Sequence, residues 1–416
     1  MSIQVSDHAS LIERFRLHLK SEGYSPSIQR SYPAHTQHFL HYCDSKVVTI
    51  EVVRSCHVEE FLRRQHLLFC KRHGQSPPFQ EWRRRYTSPV HLFLRVVHGR
   101  WPVPNPPATA IEAFHRNIVQ DYDSWLRDVR GLHPETRAKR TAHAFRLLTA
   151  LGPHADHETI AHLSVRDVDL YLKQCCKGRR RASIEDYTVC LRDFLRHLHR
   201  RKHTALDLSG TVIGPRLYEH ENIPSALRPE EVKRVLEVTR EDHSPIGLRD
   251  YAVLMLLATY GLRAAEIVRL RLEDIDWRRD VLRVRHSKTE TYSELPLLPK
   301  VGEAMLRYLQ KGRPGSVHRE VFLRLHAPHR RFKEGSILGY ITSSRLKAAG
   351  ITPRSRKGPH AFRHARAVSL LRSGVPLKVI GDVLGHTSAE AIGVYLKLAT
   401  EDLRAIGLEL PSGVLP

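Results

Sequence analysis

Six side chains in the C-terminal half of the sequence are of the types that can act together on a phosphodiester. They are a tyrosine, two arginines, two histidines and a lysine: Tyr395, Arg263, Arg363, His360, His386 and Lys288. A tyrosine oxygen can attack phosphorus and form a covalent intermediate, and the fork of an arginine matches two non-bridging phosphate oxygens. Because the ordinary pKa of tyrosine is about 10, nearby cations and a proton acceptor must help to ionise it. These residue types indicate attack on a phosphodiester bond, with the tyrosine as nucleophile.

Arg263 and Glu266 lie three residues apart, shortly after a glycine. The apolar run Leu248–Tyr260 predicts a helix, and Gly261 can end it. We therefore expect Arg263 at the start of the next helix, where unpaired backbone N–H groups favour an anion. Glu266 would then orient the guanidinium or cap the helix. Considered alone, the pair would be interpreted as a surface ion pair.

The lysine and the second arginine need two further elements. Val281–Val284 and Ser293–Leu298 are predicted to be short strands, which places Lys288 on the hairpin turn between them. From that turn its ammonium can protonate a leaving oxygen. His360 and Arg363 are three residues apart, so imidazole and guanidinium would lie side by side over one helical turn.

The last segment contains His386 and Tyr395. Gly385 permits a turn, and we expect a new helix to begin near His386. If the chain from His386 to Tyr395 were one straight helix, its ends would be about 13 Å apart. The two side chains can therefore meet at one phosphate only if the chain bends between them. A single tyrosine in such a segment is more often a packing residue, so its significance depends on the other five side chains.

These segments resemble the active site of the tyrosine recombinase (phage integrase) family, over about residues 225–400. The matching motifs are Gly-Leu-Arg263-Ala-Ala-Glu266, His-Ser-Lys288, His360-Ala-Phe-Arg363-His364, Leu-Gly-His386 and Val-Tyr395. The chain departs from the family pattern at Ser293, where an arginine is common, and at Ala391-Ile392, where a threonine pair is usual. These departures concern fine positioning and leave the set of six complete.

The resemblance also implies a role for each residue. Tyr395 would be the nucleophile, Lys288 the general acid for the 5′-oxygen, and His360 the proton acceptor. The remaining residues would hold the phosphate or support those that do: Arg263, Arg363, His386 and Glu266.

Site-specific recombination is the activity that the resemblance implies, through a 3′-phosphotyrosine and a Holliday junction, in an integrase or a mobile-element transposase. It further implies a C-shaped clamp around double-stranded DNA and a tetrameric synapse, with or without companion recombinases. The C-terminal segment 401–410 would dock onto a neighbouring protomer or pack on its own. A type IB topoisomerase is the alternative enzyme, and a non-catalytic DNA-binding protein is the alternative outside enzymes. The sequence does not distinguish integration, transposition and resolution.

The charge of the chain indicates a polyanionic partner. The formal net charge is +23, and residues 1–110, 111–210 and 211–416 each carry more Lys and Arg than Asp and Glu. Such an even distribution suits a protein whose domains all touch one DNA duplex. In the second of these segments we expect contacts to backbone phosphates from six residues: Arg137, Lys139, Arg140, Arg179, Arg180 and Arg181.

Several other classes of protein are disfavoured. The most apolar run, Tyr251–Tyr260, is about half the ~20 residues that a membrane crossing needs, and no secretory signal is recognisable. The six cysteines form no CxxC pair, and the histidines show no clustered ligand spacing, so no metal site is predicted. No Gly-rich nucleotide-binding loop is present either, so no cofactor is expected. These features predict a cytoplasmic protein, and the resemblance implies one of prokaryotic type that is associated with the nucleoid.

The elements that must position the six residues are predicted to be mainly α-helical, with a small antiparallel β-sheet in the catalytic part. Leu17–Cys43 aligns without gaps on Trp125–Leu151, which suggests two tandem helical modules. Proline-rich breaks then predict an N-terminal module at 1–102, a second module at 108–205, a linker at 206–224 and a C-terminal domain at 225–416. The second module resembles the core-binding domain of the tyrosine recombinase family through its Gly-Leu-His-Pro-Glu-Thr opening, and the resemblance implies that 225–416 is the catalytic domain. Helical periodicity is expected from about Gly302 to the end of the chain.

Overall fold

The structure is a computed structural model that describes residues 5–103, 106–152, 154–218, 226–286, 291–333, 335–353 and 358–385. These residues form α-helices and one small antiparallel sheet, which confirms the predicted fold class. Contacts divide the chain into two compact units, one of Met1–Tyr42 with Asn222–Pro416 and the other of Cys43–Glu221. The domain boundaries derived from the sequence remain a prediction.

The first four helices include one of the two similar segments. They span Val5–Ser21 (α1), Pro26–Ser45 (α2), Ser55–His73 (α3) and Phe79–His98 (α4). A glycine turn at Gly23 follows α1, and a proline then begins α2. In the unit that contains Met1–Tyr42, Glu22 from this turn accepts a hydrogen bond from the guanidinium of Arg330 at 2.5 Å.

The next five helices begin in the same way as the first four, with a helix, a glycine turn and a helix that starts at a proline. They span Ala110–Asp128 (α5), Pro134–Ala150 (α6), His157–Ala161 (α7), Val165–Cys176 (α8) and Arg181–Arg200 (α9). A glycine turn at Gly131 follows α5, and Pro134 begins α6, as Pro26 begins α2. The apolar faces of these helices pack around the fully buried Tyr122 and Phe194. The aligned segments Leu17–Cys43 and Trp125–Leu151 therefore share a glycine turn followed by a helix that begins with proline.

The region that follows contains the sheet and a long, strongly apolar helix. Its elements are Pro229–Arg240 (α10), Pro245–Tyr260 (α11), Ala264–Arg269 (α12), Ile275–Asp276 (β1), Val281–Arg285 (β2) and Tyr292–Pro296 (β3). The three strands are antiparallel in the order β1-β2-β3, and Val284 lies opposite Ser293. The hydroxyl of Tyr260 donates to the Pro296 carbonyl at 2.7 Å, which ties the end of α11 to β3. The predicted helix and the predicted hairpin strands are thus confirmed to within a few residues.

Four more helices complete the described part: Pro299–Lys311 (α13), Ser336–Ala348 (α14), Pro359–Arg372 (α15) and Leu377–Leu384 (α16). The predicted continuous helical periodicity is wrong for residues 312–333, which contain no helix. Pro314 and Gly315 interrupt the pattern there. The chain instead lies against Leu270, whose carbonyl accepts from the Val321 N–H at 2.8 Å. The side chain of Arg313 holds this segment by donating to its backbone carbonyls.

Across the described ranges, no helix is both long enough and apolar enough to cross a membrane. The same ranges contain no group of three or more His, Cys, Asp or Glu side chains arranged to hold a metal ion.

Candidate active site

Arg263 is held at the junction of two helices. The left-handed Gly261 (φ 66°) ends α11, and Arg263 is the N-cap residue of α12. Its Nη1 donates to Oε1 of Glu266 at 2.9 Å, and its backbone N–H donates to Oε2 at 2.7 Å. Glu266 therefore both caps the helix and orients the guanidinium, as the three-residue spacing predicted. The side chain of Arg263 is 18% exposed, so it lies at the edge of the core rather than on the open surface.

Glu266 is fully buried and has a second partner, His286. The Nδ1 of His286 lies 3.0 Å from Oε1 of Glu266, and the Nε2 lies 2.7 Å from the hydroxyl oxygen of Ser293. Because a carboxylate only accepts hydrogen bonds, Nδ1 must carry a proton. The carboxylate is thus shared between the arginine and the residue that directly follows β2.

Arg363 lies in the first half of α15 and is 4% exposed. Its Nη1 donates to the carbonyl of Gly261 at 2.7 Å, and its Nη2 donates to the carbonyl of Leu384 at 2.6 Å. Both acceptors are at the C-terminal ends of helices, where carbonyl groups carry partial negative charge. The guanidinium therefore joins the end of α11 to the end of α16.

The two arginines converge on consecutive peptide groups. Arg363 reaches the Leu384 carbonyl, and Nη2 of Arg263 reaches the Gly385 carbonyl at 2.9 Å. The glycine at this point is left-handed (φ 62°), and a Cβ on it would approach the ring of His286 to 2.5 Å. A larger residue at 385 would therefore displace the imidazole or open the turn. The chain that continues to His386 leaves from this fixed point.

Three of the six predicted residues lie outside the described residues: Lys288, His386 and Tyr395. The described neighbours of Lys288 are the ends of the hairpin, where the His286 N–H donates to the Thr291 carbonyl at 2.8 Å. The described neighbour of His386 is Gly385. The structure therefore fixes the attachment points of these segments, and the roles of the three residues remain predictions.

His360 lies in the first turn of α15 and is exposed. Its ring centroid is 6.3 Å from that of His364, one turn further along the helix. Ala361 and Phe362 are buried in the core, so the helix has a fixed orientation. His360 and Arg363 occur on the same helix one turn apart, and the imidazole is the more accessible of the two.

His286 is a site residue that the sequence reasoning did not single out. Burial alternates along β2, with Leu282 and Val284 buried, and His286 continues the buried face. A histidine at an inward position of a strand needs partners for both ring nitrogens, because a buried polar group without one is destabilising. That pattern was available in the sequence and would have identified the residue.

The residues predicted to contact phosphates in the second unit fall into two groups. Those on α6 form ion pairs: Arg137 with Asp123 at 3.0 Å, Lys139 with Asp186, and Arg140 with Asp193. Asp193 is largely buried and also accepts from Arg130 and from the hydroxyl of Tyr122. Burial, and then the charge of Asp193, raises the pKa of Tyr122.

The group around the start of α9 is more accessible. Arg179, Arg180 and Arg181 are all exposed. The guanidinium of Arg179 lies 4.8 Å from the ring centroid of Tyr187, and that of Arg181 lies 5.4 Å from the ring centroid of Tyr218. Stacking on an aromatic ring leaves the edge of a guanidinium open to anions.

Comparisons with known proteins bear on the same part of the chain. The phage integrase family matches residues 225–402. The protein y4gC of Sinorhizobium fredii, which carries the name integrase/recombinase, is 53% identical over 189 residues, covering 45% of this chain and 97% of its own length. Tyrosine recombinase XerD of Proteus mirabilis is 32% identical over 305 residues, covering 70% of this chain and 90% of that relative.

One solved structure shows the shared fold. A crystal structure of a lambda integrase tetramer bound to a Holliday junction has a TM-score of 0.52 and 16% sequence identity, over 75% of this chain and 86% of that chain. The similarity extends well beyond the region of residues 225–402. At this level of identity it concerns the fold.

Proposed function

We propose that this chain, which belongs to the phage integrase family of tyrosine recombinases, exchanges DNA strands at specific sites through a covalent bond to Tyr395. By its family the protein is a DNA recombinase.

The observation that supports this site most directly is the convergence of the two arginines. Nη2 of Arg363 and Nη2 of Arg263 donate to the adjacent carbonyls of Leu384 and Gly385. Two guanidinium groups that reach neighbouring peptide oxygens are close enough together to serve one phosphate. Each Nη of a guanidinium carries two N–H groups, so in the proposed complex the same nitrogens donate to phosphate oxygens while the carbonyls hold them in place.

The proposed reaction is an in-line displacement at phosphorus. A bond forms between the Tyr395 oxygen and phosphorus, and the bond from phosphorus to the 5′-oxygen breaks. The tyrosine proton passes to His360, and Lys288 donates a proton to the leaving 5′-oxygen. The product is a 3′-phosphotyrosine and a free 5′-hydroxyl. Attack by a 5′-hydroxyl of another strand reverses these steps and joins the strands without an external energy source.

The arginines would supply the electrostatic stabilisation. Negative charge builds up on the non-bridging oxygens as phosphorus becomes five-coordinate, and Arg263, Arg363 and His386 would hold that charge. Arg363 is preorganised because its guanidinium is 4% exposed and fixed at two helix ends. A fixed donor does not need to reorganise during the reaction, which is the main source of such catalysis.

Strand exchange between two sites would require an assembly on double-stranded DNA. The solved lambda integrase structure described above is a tetramer bound to a Holliday junction. We extend that arrangement to this chain, with the C-terminal segment 401–410 joining neighbouring protomers and with companion recombinases as further possible members. Acting on genomic DNA, the protein would be associated with the nucleoid.

The proposal is tested with a nicked duplex whose binding site has been selected from a random DNA pool by the full-length protein. Wild-type protein should form an adduct that resists SDS, and Tyr395→Phe should form none. Tyr340→Phe, at an exposed position of α14, is the matched control and should behave as wild type. An adduct with Tyr395→Phe, or none with wild type, would defeat the proposal.

A further inference from the structure

His286 is a buried side chain that the proposed reaction does not use. It follows β2 directly, is 4% exposed, and has described partners on both ring nitrogens. Because it is buried, it has little surface with which to contact DNA. Any effect on catalysis must therefore pass through its neighbours.

The contacts of His286 form a closed cycle with the site. Its Nδ1 binds Glu266, the same carboxylate oxygen that accepts from Nη1 of Arg263. Nη2 of Arg263 donates to the carbonyl of Gly385. The backbone of Gly385 in turn lies so close to the imidazole that a Cβ there would approach ring atoms to 2.5–3.0 Å. Four residues from three separate elements thus fix one another.

The hairpin holds the ring in its place within this cycle. Ser293 on β3 lies across from Val284, and its hydroxyl is 2.7 Å from Nε2 of His286. With Nδ1 protonated toward Glu266, Nε2 shares a hydrogen bond with the hydroxyl of Ser293, which can donate or accept. The ring orientation is therefore determined at both ends by residues outside its own strand.

From this geometry we infer that His286 is a positioning residue, whose Nδ1–H holds Glu266 and thereby keeps Arg263 in its phosphate-binding orientation. The inference rests on the proposed function, because it assigns the supported arginine to the phosphate. Without the imidazole, Oε1 of Glu266 loses one of its two donors, and the carboxylate can rotate toward other groups. Arg263 would then be less well fixed against the 384–385 turn.

Two substitutions separate the roles of the ring nitrogens. The amide of His286→Asn reaches approximately the place of Nδ1, whereas that of His286→Gln reaches approximately the place of Nε2. We expect His286→Asn to form the covalent adduct within about twofold of the wild-type rate. His286→Gln should be about tenfold slower at saturating DNA, equivalent to about 1.4 kcal/mol of activation free energy. The Kd for DNA should stay unchanged for both.

A modified substrate distinguishes support of Arg263 from support of Lys288. A duplex with sulfur at the bridging 5′-position has a leaving group that needs no proton. Cleavage of this substrate should be restored in Lys288→Ala but should stay slow in His286→Gln. Restoration in His286→Gln, or equal rates for the Asn and Gln variants, would overturn the inference.

Failure of the inference is distinguishable from failure of the proposed function. If wild type forms an adduct that Tyr395→Phe does not, the proposed function stands whatever the His286 variants do. If the His286 variants do not fold, as judged by circular dichroism, Ser293→Ala carries the test. It releases only Nε2 and leaves Nδ1–H on Glu266, so the adduct should form within about twofold of the wild-type rate. A tenfold loss in Ser293→Ala would contradict the assignment of the support to Nδ1.

Discussion

A buried arginine and a half-buried one, in different parts of the molecule, are anchored in different ways. Arg363 in the candidate site donates to the main-chain carbonyls of Gly261 and Leu384. Arg140 lies in the unit Cys43–Glu221, called the helical unit below, and donates to the carboxylate of Asp193. A main-chain anchor makes the position of the arginine depend on where two helices end. With a carboxylate anchor, a buried acid depends on the arginine as a hydrogen-bond donor. The first arrangement suits a group that must be placed accurately, and the second suits a group that stabilises the fold.

The largest effect that follows concerns the rate of cleavage. Arg363→Lys keeps the charge but loses the fork that spans both carbonyls. Adduct formation at saturating DNA should fall about 10²–10³-fold, the typical loss for one preorganised donor to a developing oxyanion. Single-turnover assays with the nicked duplex measure this rate.

The matched control is Arg372→Lys, at the exposed end of the same helix. It should cleave at the wild-type rate. If Arg363→Lys also retained that rate, the guanidinium would be a structural brace between helix ends and would have no role at the phosphate.

The second prediction concerns stability in the helical unit. Arg140→Ala removes one of the donors to Asp193, while Arg130 and Tyr122 remain. A buried acceptor that loses a partner costs about 1–3 kcal/mol. The midpoint of urea unfolding should therefore fall, as followed by tryptophan fluorescence, since Trp82, Trp101 and Trp125 all lie in Cys43–Glu221.

Cleavage by folded Arg140→Ala at saturating DNA should stay at the wild-type rate. If Arg140→Ala instead unfolded at the wild-type urea concentration but bound DNA poorly, the proposed stabilising role would be wrong. Arg140 would then be a phosphate contact, as the sequence first suggested, and the contrast with Arg363 would be lost.

How much of this contrast could be predicted depended on the distance between partners along the chain. Arg263 and Glu266 are three residues apart, so helical spacing predicted their contact, and Gly261 predicted the helix end. The carbonyl partners of Arg363 are 102 and 21 residues away, and Asp193 is 53 residues from Arg140. Sequence patterns describe the faces of elements but not which faces meet.

The same reasoning explains the incorrect helix prediction between α13 and α14. The apolar residues of that stretch, including Val321 and Phe322, are buried in the core as their type suggests. Their packing is achieved by an extended chain that pairs with Leu270, because prolines and glycines exclude a helix. Burial was predictable there, whereas the conformation depended on a distant partner.

The third prediction compares the two groups of basic residues in the helical unit. Replacing Arg179, Arg180 and Arg181 together by alanine should weaken DNA binding and reduce the salt dependence of log K by up to about 2.7, or about 0.9 per phosphate contact. The matched variant Arg137→Ala should change the slope little, because its guanidinium is paired with Asp123 and is 20% exposed. Fluorescence anisotropy at several salt concentrations measures both slopes. If the salt slope fell by the same amount per replaced residue in both variants, the ion pairs on α6 would have to open to bind DNA.

The smallest expected effect is a pH dependence of stability in the helical unit. Burial lowers the pKa of four of its histidines: His91, His143, His197 and His203. In the unfolded chain these groups bind protons below about pH 6.5. The folded form, with lower pKa values, binds fewer protons there, so its stability is fully present above that pH and decreases as pH falls. The Tm followed by tryptophan fluorescence should therefore drop between pH 7 and pH 5. His143→Gln, which cannot titrate, should reduce the drop. A Tm that stays constant over this range would contradict the prediction, because neutral buried histidines must destabilise the folded state when the solvent protonates the unfolded chain.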